Sequence, residues 1–290
     1  MKGPAAISYA AAVLLLVSNA EAVGADKNQY WLFNPTPDRL LREMTTDRPD
    51  ITESPFTVDA GHVQFESTLV GYTRSAPDQE RTVTEDFDFF TTNMRIGVTN
   101  SAEIDLVWQP YGTVRTRQTD PLRIFHQSGI GGLNLRAKFN LWGNDTFEKT
   151  GATALALLPF VMLPTDRHNG ISPEFVAGGI IVPLAVKLSD KWEVTLNGAL
   201  AHLREHAESS YHTEYFASAS FSYEWSEKFG TYYEIAGRFN TENSRGDPVV
   251  LGTGFTYKLT KDVQLDAGVN VGVTPAADRI NPFVGLSVRF

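Results

Sequence analysis

No cysteine occurs among the 290 residues of the chain. Disulfide bridges, thiolate metal ligands and a lipid-modified cysteine are therefore excluded. Clusters of basic residues are missing as well: the 25 Lys and Arg residues are scattered singly, and 34 Asp and Glu residues bring the net charge to -9. A chain without a basic face does not suit nucleic acid, so nucleic acid is not an expected partner.

Long apolar runs are equally scarce. The sequence has one, between Ala5 and Val17, which follows Lys2 and ends shortly before Ala20-Glu21-Ala22. A basic start, a short apolar stretch and an A-x-A site are the three parts of a secretory signal peptide, and the stretch is too short to span a bilayer as a helix. We therefore predict a signal peptide over residues 1–22, cleaved near Ala22, and prefer it to the alternative of a buried amino-terminal helix.

Helical periodicity is absent beyond this segment, and from residue 61 to residue 290 apolar residues alternate with polar ones. The clearest example is Leu133–Leu141, in which Leu, Ala and Phe alternate with Asn, Arg and Lys. A period of two indicates β-strands with one apolar and one polar face. Because 42% hydrophobic residues is also too few for a helical membrane protein, we predict an all-β fold in one domain.

Strand length distinguishes a transmembrane barrel from the alternative of a soluble β-sandwich. Many of the alternating stretches reach the roughly 9 to 11 residues that a tilted strand needs to cross a bilayer. Short connections alternate with longer ones, as in outer-membrane barrels, and the longest is Gly112–Ser128. Residues 61–290 are therefore predicted to form a transmembrane, antiparallel, up-and-down β-barrel of about twelve strands in a Gram-negative outer membrane. The predicted strands are 61–73, 86–98, 102–112, 129–142, 151–163, 174–188, 191–204, 209–225, 228–240, 248–259, 262–274 and 280–290.

The chain ends on a strand with a terminal aromatic residue. Val284, Leu286, Val288 and Phe290 share one face of it. The pattern resembles the β-signal that the outer-membrane assembly machinery reads, and the alternative is an ordinary edge strand. We predict an assembly signal that includes Gly285, Val288 and Phe290.

One segment carries a family resemblance. Thr45–Val58, followed by Gly61–Glu66, closely resembles the opening of a bacterial family of outer-membrane transporters, the MetA-pathway of phenol degradation family. Looser similarity extends over nearly the whole mature chain, although Gly132-Leu133 stands where the family often has Gly-Asp. The resemblance implies an outer-membrane barrel that acts as a channel for small, often aromatic, compounds. Looser matches occur at 95–99, 129–133, 157–159 and 163–165.

The polar face of each strand lines the lumen if the fold is a barrel. Charges of both signs occur on that face, so they either pair as structural ion pairs or form a charged constriction that selects solutes. The predicted lumen-lining residues are Glu66, Arg95, Glu103, Asp105, Arg136, Lys138, Glu193, Glu214, Glu234, Arg238, Lys258 and Asp266.

The polar amino-terminal segment 23–60 has little periodicity. It either lies in the periplasm or folds into the lumen as a plug. Asp47, Arg48, Asp50 and Glu53 favour the lumen, because opposite charges would meet them there.

A catalytic function has weak support. A twelve-stranded outer-membrane phospholipase carries a His-x-Ser pair followed by Asn-Gly, and the nearest match is His126-Gln127-Ser128-Gly129. The Asn is absent, the pair falls in a predicted loop, and its parity points toward the lumen, whereas a lipid hydrolase needs the outer face. No cofactor is expected, because Gly129–Gly132 precedes no helix and His202 and His206 are too far apart along a strand to share a metal.

The sequence therefore predicts a non-enzymatic, passive outer-membrane channel or transporter for small solutes, aromatic or hydrophobic compounds among them. An acyl hydrolase using His126 and Ser128 and a structural or adhesive barrel are the alternatives. The expected partners are the lipid bilayer, lipopolysaccharide, the outer-membrane assembly machinery and a small-molecule solute.

Overall fold

The computed structural model describes residues 27–78, 80–119, 122–204, 210–240 and 246–290. The predicted signal peptide, His206 and residues 79, 120–121, 205–209 and 241–245 lie outside these ranges. In the described part, no helix is long and apolar enough to cross a membrane. Besides a 3-10 turn at Asp38–Leu40, the elements are β1 (Val63–Arg74), β2 (Val83–Thr99), β3 (Ala102–Trp108), β4 (Tyr111–Thr119), β5 (Leu122–Gly129), β6 (Leu133–Trp142), β7 (Thr153–Leu163), β8 (Ala177–Lys187), β9 (Trp192–Leu203), β10 (His212–Ser226), β11 (Phe229–Phe239), β12 (Val249–Thr260), β13 (Val263–Gly272) and β14 (Ile280–Arg289).

The strands close into one antiparallel ring. β1 pairs with β2 on one side and with β14 on the other, where Phe65 lies opposite Val288. The ring contains β1 to β3 and β6 to β14, which makes twelve strands. The prediction of a twelve-stranded antiparallel barrel is confirmed, and the twelve predicted strands correspond one to one to the strands of the ring.

Burial alternates in the opposite sense to that of a soluble protein. In β13 the side chains of Gln264 and Asp266 are buried, with 4% and 3% of their surface exposed, while Leu265 between them is 37% exposed. A closed sheet places one face of every strand inward, and here that face is polar. An outward apolar face suits lipid, which cannot hydrogen-bond to polar groups.

The prediction of a loop over Gly112–Ser128 is wrong. These residues form most of a β-hairpin, β4 and β5, that continues from β3 and β6 beyond the ring. β2 is long enough to pair with β3 over Thr92–Thr99 and with β4 over Val83–Phe89, and Phe90 at the change of partner has a positive φ of 56°. The hairpin escaped detection because every residue of β5 before Gly129 is exposed, so no buried face imposes an apolar alternation.

The two ends of the barrel differ in their connections. Short turns at 100–101, 188–191, 227–228 and 261–262 lie at the end where Phe290 pairs with Val63. Most connections at the other end are longer and include the β4–β5 hairpin, although the ten-residue connection 143–152 also lies at the Phe290 end. Outer-membrane barrels place short turns in the periplasm and long loops outside, so we call these the periplasmic end and the outer end.

Candidate functional site in the barrel lumen

Residues 27–60, the inner segment, contribute no strand. Residues 27–41 lie at the periplasmic end, where Trp31 bridges Thr99 and Phe33 is 77% exposed, and residues 42–60 lie within the ring. The irregular backbone of the inner segment follows from four prolines, Pro35, Pro37, Pro49 and Pro55, and from the lack of any apolar period. Such backbone needs hydrogen-bond partners when buried, and lumen side chains accept from it. Glu66 accepts from the amides of Asp47 and Arg48 at 2.9 and 3.2 Å, and Glu103 accepts from Val58 at 2.6 Å.

A cluster of buried charges on β1, β2, β3 and β6 holds the inner segment. The Lys138 ammonium lies 2.7 Å from Asp47 and 3.2 Å from Glu103. The Arg95 guanidinium lies 2.7 Å from Glu66, 2.9 Å from Glu103 and 3.4 Å from Asp47, and it donates to the carbonyl of Phe56 at 2.7 Å. We call these five charged residues the anchor cluster: Asp47, Glu66, Arg95, Glu103 and Lys138.

The anchor cluster keeps Asp47 ionised. Burial by itself raises the pKa of this carboxyl, but the adjacent charges of Arg95 and Lys138 outweigh burial and hold the pKa below its ordinary value. Three carboxylates, those of Asp47, Glu103 and Asp105, come within 4.8 Å of one another, which is close enough for a shared cation. The Lys138 ammonium already contacts the first two of them, so the arrangement reads as an ion-pair network.

The tip of the inner segment, Arg48–Glu53, contacts β6 and several strands that the anchor cluster does not reach. Arg48 pairs with Asp266 of β13 at 2.8 Å, and Glu53 pairs with Arg136 of β6 at 2.5 Å. The amides of Ile51 and Thr52 donate to Glu234 of β11 at 3.0 and 2.7 Å. The Thr52 hydroxyl lies 2.7 Å from that of Ser218 on β10, and the Glu53 amide donates to Asn197 of β9 at 2.7 Å. The tip thus reaches β6, β9, β10, β11 and β13 and crosses the lumen.

Two glycines admit the inner segment against the wall. A Cβ on Gly97 would lie 2.1 Å from the carbonyl oxygen of Asp59, a backbone atom that cannot move aside easily. A Cβ on Gly285 would lie 2.2 Å from the Arg48 guanidinium. Both positions face inward, so their lack of a side chain leaves the space that the inner segment occupies.

A cavity of about 690 Å³ lies beside the inner segment, in the periplasmic half of the lumen. Its wall comes from β8 to β13 and from the connection 143–152, and it mixes charged groups with hydroxyls. A further cavity of about 590 Å³ lies at the periplasmic mouth. The first cavity ends at the tip, where Asp50 and Thr52 line it, and its wall includes Lys187, Glu193, Thr195, Thr231, Tyr232 and Lys258.

The predicted lumen residues fall into three groups. Glu66, Arg95, Glu103, Lys138, Glu234, Asp266 and Arg136 contact the inner segment between its anchor and its tip, and Lys258 pairs with Glu43 nearer the periplasm. Asp105 is fully buried between Arg95 and Arg136 in the strand register. Glu193 lines the larger cavity, and Glu214 and Arg238 approach to 3.9 Å near the outer rim, where Arg238 is 63% exposed.

Sequence reasoning missed the small hydroxyl residues that receive the tip. Ser218 and Ser220 alternate with Ala217, Ala219 and Phe221 in β10, and both serines are buried. Small polar residues on an inward face leave room for a second chain segment, and that signal was present in the sequence. Asp59, which contacts Arg42 and Arg289 near the periplasmic mouth, carried no such signal because its surroundings lack periodicity.

The His126 and Ser128 pair lies in β5 and not in a loop, which corrects the prediction. Both residues are exposed, and β5 stands beyond the ring, so neither faces the lumen. Among the described residues no hydrogen bond joins the two side chains, and nothing in the hairpin places a third residue to orient the imidazole.

The carboxyl-terminal residue closes the periplasmic end. The Phe290 ring packs edge-on against Phe65, with 6.0 Å between the ring centroids, and the residue is 70% exposed. Val284 is exposed on the same outward face, while Arg289 turns inward and pairs with Asp262 at 2.7 Å. Gly285 faces inward beside Arg48.

Known proteins place the chain in a family. The family model described as "Putative MetA-pathway of phenol degradation" matches residues 46–290, which include the whole barrel and the part of the inner segment that contains Asp47. The chain belongs to this family. No curated protein matches it in sequence.

Solved structures share the fold. An outer membrane channel from Pseudomonas putida F1 superposes with a TM-score of 0.59 at 11% identity, covering 85% of this chain and 100% of that one. The NanC porin gives 0.50 at 8% identity, with 78% and 98% covered. The transport unit of the autotransporter AIDA-I from Escherichia coli gives 0.51 at 10% identity, with 85% and 92% covered. The fold is therefore that of outer-membrane β-barrels.

Proposed function

We propose that the protein is a passive outer-membrane channel for small solutes, and that the inner segment is its gate. The observation that carries the proposal is the contact of the tip with β6, β9, β10, β11 and β13, which takes it across the lumen. The tip separates the outer half of the lumen from the two cavities in its periplasmic half. Passage of a solute therefore requires the tip to move.

The solutes that suit this lumen are small compounds with a ring and a hydroxyl group. The cavity next to the tip is lined by the partly buried Phe147 ring and by the inward-facing Thr195 and Thr256, so it offers both an apolar face and hydrogen-bond partners. The family's association with phenol degradation agrees with that chemistry. No energy source is built into the described residues, which fits diffusion down a gradient.

The cellular setting follows from the barrel. After signal-peptide cleavage near Ala22, the assembly machinery would read the closing strand at Gly285, Val288 and Phe290, and the apolar outer face would enter the bilayer. An acyl hydrolase draws no support from His126 and Ser128, which are exposed and not hydrogen-bonded to each other.

A disulfide across the lumen tests the gate. The chain has no cysteine, so Thr52→Cys with Ser218→Cys introduces one possible bridge at hydroxyls that lie 2.7 Å apart. In planar bilayers we expect the oxidised protein to lose solute-induced conductance and to regain it on reduction. The matched control is Thr52→Cys alone, which should respond to neither treatment. Equal conductance of the oxidised and reduced double variant would contradict the gate.

A further inference from the structure

The outer end of the barrel carries a basic surface that faces away from the lumen. In the strand register Arg74 of β1, Glu85 of β2, Arg115 of β4 and His126 of β5 form one row across four strands. The next row outward contains Val83, Arg117 and Ile124. We call Arg74, Arg115, Arg117 and His126 the basic face.

This face points to the membrane side of the barrel. Val70 precedes Tyr72 and Arg74 on the same side of β1, and it lies opposite Val284, with both valines more than a third exposed. Asp86 and Asp88 alternate with Glu85 and therefore face the lumen, where the Arg48 charge acts on Asp88. The basic face thus lies outside the ring.

Positive charge exceeds negative charge on the basic face. In the described residues of these rows, Glu85 supplies the one carboxylate. It accepts from the Tyr72 hydroxyl at 3.1 Å and pairs with Arg115 at 3.4 Å, while the Arg115 side chain stays 46% exposed. Three arginines against one glutamate leave a surface that attracts anions.

Aromatic rings lie directly below the basic face. Tyr72 and Phe87 occupy the adjacent row toward the periplasm, and Phe89 and Tyr111 occupy the row after it. Their rings pack in a continuous line, with centroids 4.9 to 6.3 Å apart. Aromatic side chains mark the boundary between hydrocarbon and headgroups, and two residues along a strand span roughly 7 Å. The arginines therefore lie at the level of the outer-leaflet headgroups.

From this arrangement we propose that the basic face binds the phosphate groups of lipopolysaccharide. Arg115 and Arg117 donate to the lipid A phosphates, because guanidinium groups match phosphate oxygens with paired hydrogen bonds. The acyl chains lie against Phe87 and Phe89 below. The function of this site is distinct from solute passage, since no residue of the basic face reaches the lumen.

The hairpin offers a matched control at its other face. Arg123 of β5 lies opposite Gln118 of β4, and this pair is next to the pair of Ile124 and Arg117. Because side chains alternate between the two faces along a strand, Arg123 projects from the face opposite the basic face. Loss of Arg123 removes one positive charge from the same hairpin without touching the basic face, whereas a double variant of Arg115 and Arg117 removes two.

Binding of defined lipids to the full-length, detergent-solubilised protein tests the proposal. Bisphosphorylated lipid A, its dephosphorylated form, phosphatidylglycerol and inorganic phosphate are titrated, and bound lipid is counted by native mass spectrometry. We expect bisphosphorylated lipid A to bind at least tenfold more tightly than the other three. Arg115→Gln with Arg117→Gln should weaken that binding roughly tenfold, and Arg123→Gln should change it less than twofold.

Several results would overturn the proposal. Equal affinity for dephosphorylated lipid A would show that phosphate is not recognised, and equal affinity for phosphatidylglycerol would show a non-selective anionic surface. An Arg123→Gln protein as weak as the double variant would place the site on the other face. The comparison of lipids uses wild-type protein, so it decides the matter even if the double variant fails to fold.

Discussion

The two walls of the lumen hold the inner segment by different chemistry. The wall of β1, β2, β3 and β6 uses fully buried ions: Arg95 and Lys138 with Glu66, Glu103 and Asp47. The wall of β9, β10 and β11 uses hydrogen bonds from three consecutive backbone amides, those of residues 51–53, and one hydroxyl. Breaking a buried ion pair costs several kcal/mol, whereas a hydrogen bond contributes about 1 kcal/mol net. The difference indicates that β9, β10 and β11 hold the tip less strongly than the anchor cluster holds Asp47, although the tip also forms ion pairs from Arg48 to Asp266 and from Glu53 to Arg136.

Removing one cation of the anchor cluster should have the largest effect. Lys138→Met leaves Asp47 and Glu103 buried without their ammonium partner, which we expect to lower the free energy of unfolding by about 3 to 5 kcal/mol. Urea unfolding of the refolded barrel in detergent measures the loss. The control is Lys258→Met, whose partner Glu43 is 73% exposed, so its effect should stay below about 1 kcal/mol. Equal losses in the two variants would remove the distinction between anchor and surface pairs.

Weakening the tip should change gating and leave the fold intact. Glu234 accepts from the amides of Ile51 and Thr52 and from the Thr52 hydroxyl, and Glu234→Gln keeps the shape but loses the charge. We expect the ratio of open to closed channel to rise about tenfold, equivalent to about 1.4 kcal/mol. Single-channel recordings measure it. Glu214→Gln, on the neighbouring strand near the outer rim, serves as the control, and an open probability that rises equally there would count against the tip.

Acid should favour the closed channel, and the change should be smaller than the tenfold effect of Glu234→Gln. Burial, and then the neighbouring charge of Glu234, raise the pKa of Asp50 well above its ordinary value of 3.8, although the Ser220 hydroxyl opposes the shift. A raised pKa in the closed state means that closure binds a proton, so the stabilisation is complete at low pH and is lost as pH rises through the raised pKa. Burial also raises the pKa of Glu53, which acts in the same direction. Open probability should rise with pH above about 4, and Asp50→Asn should flatten the profile. An unchanged profile in Asp50→Asn would contradict the assignment.

The ring could be predicted from sequence because each strand carries its own signal. In Leu133–Leu141 the alternation of Leu135 with Arg136 and Lys138 sets which residues face the lumen without reference to any other strand. β5 of the hairpin has two exposed faces and lacks that signal. The contacts of the tip could not be predicted either, because they join distant residues: Arg48 and Asp266 are 218 positions apart, and no local pattern links them.

Deletion of residues 30–58 tests whether the inner segment is the gate of the channel. The remaining barrel keeps balanced charges, since Arg95, Arg136 and Lys138 still face Glu66, Glu103 and Asp105. In planar bilayers, we expect the deleted protein to show a steady conductance well above that of the full-length chain, with gating lost. A correctly folded deletion protein whose conductance equals that of the full-length chain would contradict this role of the inner segment.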